Sequence, residues 1–131
     1  MISFTMKNII LISVLFLFFS CNKEILPSQP VKHSILGTWV KLDDKSVGSV
    51  KTFIRKDTFE EHQFGYAFLS NNKLVVRVKL ACGKPPIYGN VEGTYQKSGK
   101  SLHLSYKVSG RPNEFDLAIL KLTKDTLRIQ Y

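Results

Sequence analysis

Between Ile35 and Tyr131 apolar side chains recur at every second position, in short runs separated by turn residues. The clearest run is Lys73–Cys82, where Leu74, Val76, Val78 and Leu80 fall on one face and Lys73, Val75, Arg77 and Lys79 on the other. A repeat of two is the side-chain period of a β-strand, whereas a helix buries one face only with a repeat near 3.6. The same alternation reads weakly over Ile35–Leu42 and Val50–Arg55, and again at Phe64–Phe68 and Asn90–Lys97. It continues through Leu102, Leu104, Tyr106 and Val108, then Phe115, Leu117 and Ile119, and ends with Leu127, Ile129 and Tyr131. Only Lys56–Gln63 lacks a pattern, and it reads as a turn or a short helix.

Turn chemistry joins these runs in sequence. Asn71-Asn72 and Ser98-Gly99 supply residues that tolerate hairpin conformations, and Pro85-Pro86 ends the Lys73–Cys82 strand because proline donates nothing to a ladder. About eight antiparallel strands in an up-and-down arrangement bury their edges best by closing on themselves. The expected architecture is therefore a small all-β barrel. Eight strands enclose a space that either holds one small ligand or is filled by the barrel's own side chains. Trp39, Phe64, Tyr66, Phe68 and Tyr106 are the candidate lining residues of such a cavity, and the alternative is that they simply fill the core.

The N-terminal stretch carries a different signal. Lys7-Asn8 precede the apolar run Ile9–Phe19, which is interrupted only by Ser13. A bilayer-spanning helix needs about 20 apolar residues, so this run is the length of a secretory h-region. No A-x-A-like cleavage site follows, since the first alanine is Ala67. The run ends Phe18-Phe19-Ser20-Cys21, which resembles a bacterial lipobox. That resemblance implies removal of residues 1–20 and acylation of Cys21, with the chains anchoring the protein in a membrane. Asn22 stands where aspartate would favour the inner membrane in enteric-type sorting, so the expected location is the outer membrane, on either face. Residues 22–34 are polar, contain Pro27 and Pro30, and read as a tether, with the folded domain spanning 35–131. Acylation of Cys21 leaves Cys82 without a partner in the chain, and a lone small thiol is expected to be buried.

Leu36-Gly37-Thr38-Trp39 resembles the Gly-x-Trp that opens the first strand of lipocalins. Cys82-Gly-Lys-Pro-Pro86, Gly93-Thr-Tyr95 and Leu122-Thr-Lys-Asp-Thr-Leu127 are similar to later segments of the short lipocalin-like domains of Gram-negative lipoproteins. The likeness implies a lipocalin-like barrel fold over about residues 35–131. It also implies a basic residue near the last strand that packs over the tryptophan. Arg128 is the candidate for that role, although its alternation with Leu127 and Ile129 turns it outward. A fold likeness names no ligand.

The chain of 131 residues has a formal charge of +9, and loss of Lys7 with the signal lowers it to +8. The cations are dispersed along the chain and no nucleic-acid recognition motif accompanies them, so anionic lipid or acidic ligands fit the charge better than nucleic acid. His33, His62 and His103 are far apart, Glu60-Glu61-His62 reads as a solvated cluster, and Arg77 and Lys79 are expected to face solvent. No metal-ligand spacing, nucleophile motif or phosphate-binding loop is present, so neither an enzyme nor a cofactor is expected. Two functions remain: a membrane-anchored binder of a small apolar or acidic ligand, or an envelope interaction or inhibitor module with a filled barrel and loops such as Gly83–Gly89 presented to a partner. The anchor is testable directly. Cys21→Ser should abolish incorporation of labelled palmitate and leave the precursor at its uncleaved mobility; normal processing of the variant would refute the lipobox.

Overall fold

A computed structural model describes residues 33–43 and 48–131; the expected export segment, the expected acylation at Cys21 and the expected tether through Lys32 lie outside the described residues. Eight strands form: β1 Gly37–Lys41, β2 Val50–Lys56, β3 Gly65–Phe68, β4 Lys73–Ala81, β5 Ile87–Ser98, β6 Ser101–Val108, β7 Arg111–Leu122 and β8 Thr126–Gln130. Every neighbouring pair is antiparallel, and the sheet closes into the expected barrel. Turn residues do what their chemistry predicts. Asn71 and Asn72 both take positive φ (60° and 59°), as do Ser109 and Gly110 (50° and 75°), giving the doubly left-handed pattern of type I′ hairpins. The β5–β6 turn uses Gly99 and Lys100, one residue later than the Ser98-Gly99 signal, with positive φ only at Gly99.

The strand order is β1-β2-β8-β7-β6-β5-β4-β3. From β3 to β8 this is a meander, but β1 lies between β2 and β3. The segment linking β2 to β3 therefore has to run the length of β1 along the outside of the barrel. It contains turns and no helix, which resolves the ambiguity of Lys56–Gln63. Its passage explains two residues that alternation alone would expose. Val40 and Ala67 sit out of phase with inward Trp39, Tyr66 and Phe68, yet are only 1% and 5% accessible. Gly65 marks the closest approach: a Cβ there would lie 2.7 Å from the Trp39 carbonyl oxygen and 3.0 Å from the Phe59 ring.

Arg77 fastens this crossover. Its Nε donates to the Glu60 carbonyl (2.9 Å) and its Nη2 to the Glu61 carbonyl (2.8 Å), while Nη1 donates to Asn90 Oδ1 (3.0 Å). The expectation that Arg77 merely faces solvent is thus corrected. The side chain does point outward, but the crossover gives its planar fork backbone acceptors to satisfy. A second correction concerns Leu80, which was expected to face inward with Leu74, Val76 and Val78. The β4–β5 register shifts between Lys79 and Ala81, and Leu80 is 46% accessible. The shift breaks the period of two at the end of β4.

The core is aromatic and filled. Trp39, Phe53, Tyr66 and Phe68 are each 1% accessible or less and belong to one continuous cluster between Ile35 and Ile129. One end of the barrel is sealed by Arg55, the cross-strand partner of Trp39. The guanidinium carbon lies 4.2 Å from the centre of the indole ring. Its nitrogens donate to the carbonyls of Ser34 (2.9 Å), Leu36 (2.5 Å) and Lys124 (2.6 Å), and the indole Nε1 donates to the Ile35 carbonyl (2.7 Å). Gly37, with φ of 124°, makes this possible, because a Cβ there would run into the guanidinium. The basic residue over the tryptophan is therefore Arg55 on β2 and not Arg128, which is exposed on β8. Sequence proximity to the last strand misled, because closure brings β2 beside β8. Replacing Arg55 with Ala should cost about 2–3 kcal/mol by urea denaturation, since three charge-assisted hydrogen bonds and the indole stacking vanish together. Lysine at 55 should recover little of this, and Arg128→Ala should change stability by about 0.5 kcal/mol or less.

Candidate functional site

The opposite end of the barrel stays open. Lys41 and Lys51 occupy inward-alternating positions there, two residues beyond Trp39 and two before Phe53. The alternation that fills the core with apolar groups thus ends in a pair of lysines at the mouth. With Phe64, Lys79, Tyr88 and Tyr131 they line a pocket of about 320 Å³. The ammonium of Lys41 is 3.6 Å from Asp43 Oδ1, and Lys51 Nζ donates to the Gly48 carbonyl at 3.2 Å. Lys79 has no anionic partner among the described residues. It is exposed, as expected, and it borders the pocket together with Tyr88, its partner on β5.

Beneath the mouth three tyrosines meet. The Tyr66 and Tyr131 hydroxyls are 2.7 Å apart, and the Tyr106 phenol lies close enough to act on Tyr66. Burial pushes the Tyr66 phenol well above its usual value, and the neighbouring Tyr131 adds to the shift. Burial also raises Tyr131, to about 12, and Tyr106. These phenols stay neutral at physiological pH and serve as a hydrogen-bonded floor under the lysines.

The five aromatic residues singled out from sequence separate into distinct places. Phe64, Tyr66 and Phe68 form a ladder along the interior, with ring centres 5.0 and 5.8 Å apart, extended by the Phe68–Tyr95 contact at 4.9 Å. Tyr106 packs against Phe115 at 5.9 Å. Trp39 lies at the sealed end under Arg55. Of the five, Phe64 reaches the mouth pocket, while the other four belong to the packed core. The lysines and Tyr131 were not recognised from sequence. The available signal was that the inward phase of β1 and β2 turns basic at the open end, and it is legible only once the inward phase is fixed.

Other polar groups lie on the outer wall. His103 Nδ1 is 2.7 Å from Asp116 Oδ1, an exposed cross-strand pair beside a shallow concavity of about 760 Å³ bordered by Gln96, Ser98 and Ser101. His62 is 3.8 Å from Glu61 and edges onto the Tyr88 ring. Among the described residues no three His, Cys, Asp or Glu side chains are grouped to hold a metal ion. Cys82 is exposed, correcting the expectation of a buried thiol. It follows the β4 irregularity and precedes the first paired residue of β5, so it sits on the projecting β4–β5 loop beyond the core. No protein-family model matches the chain, and no curated protein or solved structure matches it.

The tyrosine cluster makes an alkaline prediction. A phenol whose folded pKa lies above its unfolded value, near 10, favours the native state while neutral. That contribution is complete below about pH 10 and is lost as the pH rises towards the folded value. Urea midpoints should therefore hold up to about pH 10 and fall between about pH 10 and 12, with tyrosinate absorbance lagging that of the unfolded chain. Tyr131→Phe should soften the decline.

Proposed function

We propose that this chain is a lipid-anchored, lipocalin-like protein of the outer membrane whose barrel binds a small anionic ligand with an apolar portion at its open mouth. The observation that carries the reading is the convergence of Lys41, Lys51 and Lys79 over a pocket walled by Phe64, Tyr88 and Tyr131. Lysines supply compact charge for a carboxylate, sulfonate or phosphate, and the rings supply apolar contact. The filled core supports a ligand held at the mouth and not one swallowed to the depth of the barrel. A volume of about 320 Å³ lies at the small end of the range for small-molecule sites. Amines flanked by rings, with no nucleophile–base pair among the lining residues, favour binding over catalysis. The anchor at Cys21 and the tether support a ligand taken from the aqueous side of the envelope.

An aromatic sulfonate, 8-anilinonaphthalene-1-sulfonate, is a suitable probe. Its fluorescence should rise saturably on titration into the protein, with an affinity that falls as salt screens the lysines. The double variant Lys51→Ala/Lys79→Ala should weaken binding about tenfold or more, a loss of about 1.4 kcal/mol or greater. Undiminished binding by that variant would refute the proposal.

A further inference from the structure

Among the described residues, part of β7 has no partner strand on its β8 side. This strand has twelve residues and β8 has five. β6 covers β7 along Arg111–Ala118, but β8 pairs only with the stretch from Ala118 to Leu122. Arg111–Leu117 therefore lack a strand neighbour on the β8 side among the described residues. At the end of β8 the Tyr131 N–H donates to the Ser49 carbonyl at 3.1 Å, which continues the pairing with β2. An unpaired row of N–H and C=O groups is a template for another extended chain.

A second free edge exists on β5, at Ile87–Glu92. Its hairpin carries a register irregularity and Pro85-Pro86, features that blunt an edge against pairing. The β7 edge is flanked by Pro112 at its far end and by a register shift between Ile119 and Lys121, and the five residues Asn113–Leu117 between them carry neither feature.

The two faces of that edge define what fits it. Inward, Phe115 contacts the rings of Tyr106 and Tyr131 at 5.9 and 5.8 Å, an apolar floor half-open to solvent. Outward, Glu114 and Asp116 are consecutive exposed acids in a chain that is strongly basic, and Asp116 is held in place by His103. Opposite charges facing one another across strands favour pairing. We propose that the β7 edge is a strand-addition site for an extended segment of a partner protein, antiparallel to β7, with apolar side chains alternating inward and basic ones outward. This surface shares Tyr131 with the mouth pocket but none of its lysines, and it does not depend on a small ligand binding there.

The test uses the chain from Asn22, which omits Cys21 and retains the core cluster from Ile35 to Ile129, and a short synthetic peptide of alternating valine and lysine. Backbone-amide spectra should shift, and amide exchange should slow, at Asn113–Leu117. Glu114→Lys, which leaves the His103–Asp116 pair intact, should weaken binding about tenfold, whereas Lys51→Ala/Lys79→Ala should leave it unchanged. Three results would overturn the assignment: no shifts at about millimolar peptide, shifts confined to β5 or the mouth lysines, or equal binding of an alternating valine–glutamate peptide.

Discussion

The structure depends on how one arginine closes one end of the barrel. Arg55 lies over the Trp39 indole and gathers carbonyls from the chain before β1 and from the β7–β8 turn. The chain before β1, the end of β2 and the β7–β8 turn are thereby tied at one point. Gly37 is the local condition for this, because only a residue without a Cβ leaves room for the guanidinium. The Gly-x-Trp pattern is thus explained physically: glycine admits the cation, and tryptophan supplies the face it covers.

Sealing that end and filling the interior decide where chemistry can occur. Aromatic rings pack from Phe64 to Tyr95 and leave the open mouth as the place where charged and apolar groups converge. There the inward phase of β1 and β2 becomes basic, and a hydrogen-bonded tyrosine floor separates the lysines from the apolar core. A lysine pair this close to a core is tolerated because the mouth is open to water; deeper, desolvation would disfavour the charged form.

The crossover shows what periodicity could not reveal. Alternation told which residues of β1 and β3 face inward, but it could not tell that the outward face would be covered as well. Val40 and Ala67 are buried by a segment with no pattern of its own, held by Arg77. The same limit explains the other discrepancies. Leu80 leaves the core because a register shift resets the phase, and Arg128 yields to Arg55 because strand neighbours in a closed sheet are not neighbours in sequence. The aromatic candidates were visible as residue types, yet their division between core and mouth depends on which end of each strand is sealed.

The sequence by itself determined the class of fold. A period of two, Asn and Gly at hairpin positions, and prolines at a strand end leave an antiparallel sheet as the way to bury these side chains, and its edges favour closure. Those signals are local, since each depends on residues a few positions apart. The tertiary structure alone decided that β1 lies between β2 and β3, that Arg55 seals the tryptophan end, that three lysines meet at the mouth, and that β7 outruns β8. Each of these is a relation between residues brought together by closure, and no local pattern encodes the order in which strands become neighbours.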